Sequence, residues 1–205
     1  MKNIILNLHL NTNHYLRLHH NLYLILTLSL TLLSCSPALM NLDTAKDEVA
    51  KYYESGQYSK ELTEIIDDAK QKFSEVKPTP NSAVIFDIDE TALDNYREIK
   101  RIGFGYERQL WEEWLQKAEA PSIPQVKSLY DFLIERGFKV VFITGKKDYQ
   151  YNATFKNMIA VGYSKFDTII TRNKDEYKIK SAQYKSQKRN ELPGKGYVIA
   201  GCVGD

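Results

Sequence analysis

Ala83-Val84-Ile85-Phe86-Asp87-Ile88-Asp89-Glu90-Thr91 is the stretch that decides how this chain folds. Four apolar residues run without a polar break into a cluster of acids. A short continuous apolar run of this kind is the pattern of a strand covered on both faces in a parallel sheet. Three more runs share it: Val140-Val141-Phe142-Ile143, Thr168-Ile169-Ile170 and Tyr197-Val198-Ile199-Ala200. Segments of helical length separate them. Ser122-Ile123-Pro124-Gln125 offers a capping box with proline in the first turn, and Gly137 ends that helix. Further helices are predicted over about 148–162 and about 182–192, the last stopping before Pro193-Gly194. Upstream, residues 44–73 read as two helices split at Gly56, with Leu62, Ile65, Ile66, Ala69 and Phe73 on one face of the second. Strands alternating with helices predict an α/β fold with a doubly wound parallel sheet. The chain holds no internal repeat.

In such a sheet, ligands bind beyond the carboxyl ends of the strands. The residues there are Asp87 to Thr91, then Thr144-Gly145-Lys146, then Gly201 to Asp205. If the backbone stays extended, Asp87 and Asp89 point to the same face. Two carboxylates that close repel unless one is protonated or a cation joins them. That suits a pair in which one acid is a nucleophile and the other handles a proton. A hard divalent ion, Mg2+, would relieve the repulsion with oxygen ligands from Asp87, Asp89 and Asp205. Taken alone, the same pair is also what a turn with two solvated acids looks like.

Composition narrows the chemistry further. The chain has 205 residues and a formal charge of +2. All four histidines (His9, His14, His19, His20) fall in the first 34 residues, with Lys2 and Arg17 and no acid. The remainder carries 26 basic and 26 acidic side chains and no histidine. If the front segment is a targeting peptide, Ser-His-Asp hydrolysis and His-ligated zinc or iron are excluded. Cys35 and Cys202 cannot build a disulfide framework or a four-ligand metal site. The balanced charge argues against a nucleic-acid polymer as partner. The remaining length suits one domain. Cys202 reads as a small buried residue on the last strand.

The front segment reads as an address. Residues 21–33, NLYLILTLSLTLL, form an apolar run too short to span a membrane comfortably and of the length of a signal-peptide core. Leu32-Leu33-Ser34-Cys35 resembles a bacterial lipoprotein box, which would make Cys35 the lipidated first residue of an exported, membrane-anchored protein at the outer membrane, periplasm or cell surface. The organisation expected is a signal peptide over 1–34, a tether over 35–43 and a domain over 44–205. The competing reading is an uncleaved anchor with an unmodified cysteine.

Phe86-Asp87-Ile88-Asp89-Glu90-Thr91, Ile143-Thr144-Gly145-Lys146, Tyr184-Lys185-Ser186-Gln187-Lys188-Arg189 and Gly204-Asp205 occur in that order, each at a predicted strand end or shortly before one. Together with Leu93-Asp94-Asn95-Tyr96, Trp111 to Trp114 and Ala120 to Pro124, the set resembles the haloacid dehalogenase-like phosphatases. Within them it is similar to the class B/C-type acid phosphatases, which include bacterial surface lipoproteins and plant vegetative storage proteins. The resemblance covers about residue 44 to the last. It implies an acid phosphatase acting on phosphomonoesters, nucleotides among them, with a small helical cap insert over about 95–122. Asp87 would become an aspartyl phosphate, Asp89 would be the acid and base, Thr144 and the Gly145 amide would hold phosphate oxygens, and Lys185 would neutralise charge. Mg2+ would be held by Asp87, the Asp89 carbonyl and Asp205. Lys185 lies among Lys174, Lys178, Lys180, Lys188 and Arg189, a run that by itself reads as a solvated helix face, and Lys180 is the alternative. Tyr96, Phe104, Tyr106, Trp111 and Trp114 make the insert rich in rings for stacking on a base or aryl group, or for packing the insert onto the core. In the family the fourth motif continues to a second aspartate and a closing helix, so the resemblance also implies a truncated chain. Two other readings compete: a non-catalytic lipoprotein that keeps the fold for binding or storage, and phosphotransfer to an alcohol.

Overall fold

The computed structural model describes residues 40–204; the leader, Cys35 and Asp205 lie outside the described residues. The sheet among the described residues consists of β1 (Ser82–Phe86), β2 (Lys139–Lys147), β3 (Thr168–Arg172) and β4 (Val198–Val203). Their order is β3-β2-β1-β4, and every adjacent pair is parallel. Parallel neighbours need long crossovers, and helices supply them. Ahead of β1 stand α1 (Leu42–Glu54) and α2 (Gln57–Glu75), parted at Gly56, whose φ of 83° suits a residue without a Cβ. Between β1 and β2 come α3 (Tyr96–Arg101), α4 (Arg108–Lys117) and α5 (Pro124–Glu135). A 3-10 turn and α6 (Tyr151–Ala160) lead to β3, and α7 (Ser181–Glu191) leads to β4.

Side chains alternate across a strand, so sequence parity sorts the core into two layers. Val84, Phe86, Val140 and Phe142 enter the larger layer with Ile66, Leu129, Leu133 and Met158. Ile85, Val141 and Ile143 meet Tyr184 and Leu192 on the other face. All five β1 residues are buried, which explains an apolar run without alternation. Asp87 shares the parity of Ile85, so β1 aims it toward the layer that carries α7. Gly201 on β4 lies under Phe73 of α2; an added Cβ would stand 2.7 Å from the ring.

Four details differ from the sequence reading. β2 continues to Lys147, which pairs with Arg172 past a shift in register, so Thr144, Gly145 and Lys146 belong to the strand. β4 is one of the sheet's two edges, exposed or half-exposed at every position, and Cys202 is exposed, not buried. A strand at the edge has a neighbour on one side only, and β4 finds no second cover among the described residues. Ser122 does not cap α5, because it is committed to a bridge with Leu93; Ile123 takes the N-cap position, with Pro124 in the first turn. Ile65 points to solvent at 63% exposure, while Leu62, Ile66, Ala69 and Phe73 pack inward.

Candidate active site

β1 ends at Phe86, and the backbone then turns. The Ala92 and Leu93 amides both donate to the Ile88 carbonyl, and Glu90 adopts a positive φ of 53°. Asp87 precedes this turn and Asp89 lies within it, close enough for the Asp89 charge to bear on the Asp87 carboxyl. Asp87 stays close to the strand direction, its amide donating to the Val203 carbonyl of β4 at 2.9 Å. Lys185 of α7 donates its Nζ to Asp87 Oδ2 at 2.5 Å. Asp89 faces β2, where Lys146 Nζ stands 3.0 Å from Oδ1. Each acid has its own lysine. Asp87 and Lys146 are the deeper partners, their side chains 11% and 5% exposed.

Burial pushes the Asp87 carboxyl up, and the Lys185 ammonium opposes that shift. Glu90 is pushed up to about 7, first by burial and then by the Asp89 charge. Its Oε1 is buried without a hydrogen-bond partner. Asn95 is almost wholly buried; its amide nitrogen donates to Asp89 Oδ1 at 3.2 Å, and its oxygen accepts from the Trp114 indole at 2.8 Å. Trp114 therefore packs the insert and orients Asp89 through Asn95. Trp111 lines a cavity with Asp89, Tyr106, Gly145 and Lys146. Tyr96 is placed elsewhere: its ring stacks on Tyr53 at 4.3 Å and its hydroxyl donates to Glu54. Glu112 of α4 accepts from the Tyr149 hydroxyl and the Gln150 amide, both at 2.8 Å, which ties the insert to the segment after β2.

Thr144 is fully buried, with Oγ1 accepting the Lys146 amide at 3.2 Å. Thr144 lies on β2 two residues past Phe142, the last β2 residue paired with β1. Gly145 has no room for a side chain, since a Cβ would meet Ser181 Oγ at 2.7 Å and Arg172 Nη2 at 3.4 Å. A cavity of about 230 Å³ opens in front of Asp87 and Lys185, with Arg189, Ile85 and Ile143 on its walls. A second, of similar volume, opens on the Asp89 side beneath Trp111. No group of three or more His, Cys, Asp or Glu side chains is placed to hold a metal among the described residues. The donors that are described, the Asp87 carboxylate and the backbone around Asp89, are hard oxygens, which fits a hard divalent cation.

Of the residues the sequence singles out, Asp87, Asp89, Thr144, Gly145 and Lys185, the fold brings Asp87 to Lys185 and sets Thr144 and Gly145 at the end of the neighbouring strand. Lys146, Asn95, Glu90 and Arg189 take part without a role legible in the sequence. Lys146 and Asn95 stood inside quoted motifs, but only the turn after β1 shows which acid each one serves.

A family model described as HAD superfamily, subfamily IIIB (acid phosphatase) matches residues 21–205. The stem 28 kDa glycoprotein of Glycine max is 29% identical over 163 residues, 77% of this chain and 64% of that protein. Acid phosphatase 1 of Solanum lycopersicum is 28% identical over 164 residues, 78% of this chain and 64% of that one. The chain thus spans a little under two thirds of these relatives. The class C acid phosphatase from Bacillus anthracis with tungstate bound superposes with a TM-score of 0.63 at 26% identity, covering 78% of this chain and 68% of that one.

Proposed function

Since the chain belongs to subfamily IIIB of the HAD superfamily, the acid phosphatases, we propose that it hydrolyses phosphomonoesters, nucleotides among them, through an aspartyl phosphate on Asp87. The observation that carries this reading is the Asp87–Lys185 pair, held at the tip of β1 and open to a cavity. An Asp87 carboxylate oxygen would attack phosphorus as the ester P–O bond breaks, and Asp89 would give its proton to the departing alcohol. Water would then attack phosphorus with Asp89 accepting its proton, releasing phosphate and regenerating Asp87. Phosphoryl transfer demands mainly positioning and positive charge, and Thr144, the Gly145 amide and Lys185 are the groups for it. Mg2+ would be held by Asp87, the Asp89 carbonyl and Asp205, and would supply charge neutralisation at the phosphoryl oxygens.

The test is phosphate release from an aryl phosphate and from a nucleoside monophosphate by the full-length chain. Turnover is expected to fall when divalent metal is chelated and to return with Mg2+. Asp87→Asn is expected to abolish it, by about a thousandfold or more, because the covalent route is lost. Retention of most activity in that variant sinks the assigned nucleophile.

The leader extends the proposal to export and lipid anchoring at Cys35, supported by the apolar run at 21–33 and the small residues that follow it. A Cys35→Ser variant is then expected to leave the membrane fraction. Equal partition of the two proteins would refute anchoring and leave the site chemistry untouched.

A further inference from the structure

The cavity in front of Asp87 holds two cations from one face of α7, Lys185 and, one turn on, Arg189. Residues four apart on a helix stand over one another, so both reach the same space. Lys185 is spent on Asp87 at 2.5 Å. The Arg189 side chain is half-buried and makes no hydrogen bond or ion pair with any described residue, although Lys188 beside it holds both Glu176 and Glu191. A half-buried arginine with no acid partner among the described residues, on the wall of a cavity that also contains the attacking carboxylate, is complementary to an anion.

The direction of attack says which anion. In an in-line displacement the leaving group departs on the side of phosphorus away from the nucleophile. Asp89, the proposed acid, lines the other cavity, with Trp111 and Tyr106. The leaving group therefore belongs on that flank, and the flank shared by Asp87, Lys185 and Arg189 meets only the phosphoryl group. We infer that Arg189 is a second phosphate-binding residue, donating to a non-bridging oxygen of the phosphoryl group and of product phosphate. Chemically it serves a tetrahedral oxyanion and is indifferent to what the ester carries. The inference rests on the proposed hydrolysis for its role in turnover, and on the cavity alone for its role in anion binding.

The experiment compares full-length wild type with Arg189→Met, which keeps the apolar stem, and with Arg189→Gln should the methionine variant fail to fold. Inorganic phosphate is the probe, as a competitive inhibitor and by calorimetry. Phosphate affinity is expected to fall about tenfold or more, as for loss of a charge-assisted hydrogen bond. The kcat/KM for an aryl and for an alkyl phosphate should drop by one common factor, and Arg189→Lys should recover part of both losses. Unchanged phosphate affinity in a folded variant overturns the inference. So does a drop confined to one class of ester, which would put Arg189 on the leaving group. If wild type turns over no ester yet binds phosphate in an Arg189-dependent way, the phosphatase reading fails and the anion site stands.

Discussion

Glu90 shows how far a single side chain can depart from its ordinary behaviour. It follows Asp89 in a tight turn at a positive φ, with one carboxyl oxygen buried and unpaired. Burial and the Asp89 charge raise it from 4.5 to about 7. Because the folded form holds the proton more tightly than the unfolded chain, the stabilisation is full below about 4.5 and declines as pH rises toward 7. The loss above that is on the order of 3 kcal/mol at most. Glu90→Gln, which removes the titration and keeps the shape, is therefore expected to match wild type in thermal denaturation at pH 4 and to exceed it by about 1–3 kcal/mol at pH 8. Equal stability at both pH values would mean that the carboxyl finds solvent. Asp89 was legible as an acid beyond a strand, but its ties to Lys146 and Asn95 were not. Those partners lie 57 and 6 positions away, and only the backbone turn decides which oxygen meets which nitrogen.

At the scale of elements, the site depends on how closely β2 and α7 approach. Gly145 is the point of contact, with Ser181 Oγ 2.7 Å from where a Cβ would stand. Arg172 at the end of β3 reinforces the junction, donating to the Ile179 carbonyl at 2.9 Å and lying over the Tyr184 ring. Gly145→Ala should push α7 outward, carrying Lys185 away from Asp87 and lowering kcat/KM by about tenfold or more, since small misplacements are costly in catalysis. Adding Ser181→Ala removes the 2.7 Å conflict and leaves the Ser181 Cβ at 3.8 Å, so the double variant should recover much of the loss. A double variant no better than the single one would mean that the contact is not what limits the site. The strand positions were readable from apolar runs because each strand is short and flanked by helices. The exceptions are informative: β2 was read as ending at Ile143, yet its polar tail remains paired through Lys147 and Arg172. A polar strand end carries no hydrophobic signal.

For the whole molecule, the sheet among the described residues ends at β3 on one side and β4 on the other. β4 is the more exposed of these two edge strands, and Val198 there is 56% exposed. Unpaired backbone groups on such an edge invite pairing with another chain. What the amino-acid sequence determined by itself was the order and type of elements and which residues crown the strands, because burial on both faces demands uninterrupted apolar runs and the chain must turn where polar groups begin. Only the tertiary structure decided the pairing of Asp87 with Lys185 and Asp89 with Lys146, the tie from Trp114 through Asn95, and the place of Arg189 on the cavity wall. Those relations join residues far apart along the chain. Parity along a strand names the face a side chain takes, but the partner waiting there is chosen by strand order, by the helix packed on that face and by the turn at Glu90, none of which local pattern encodes.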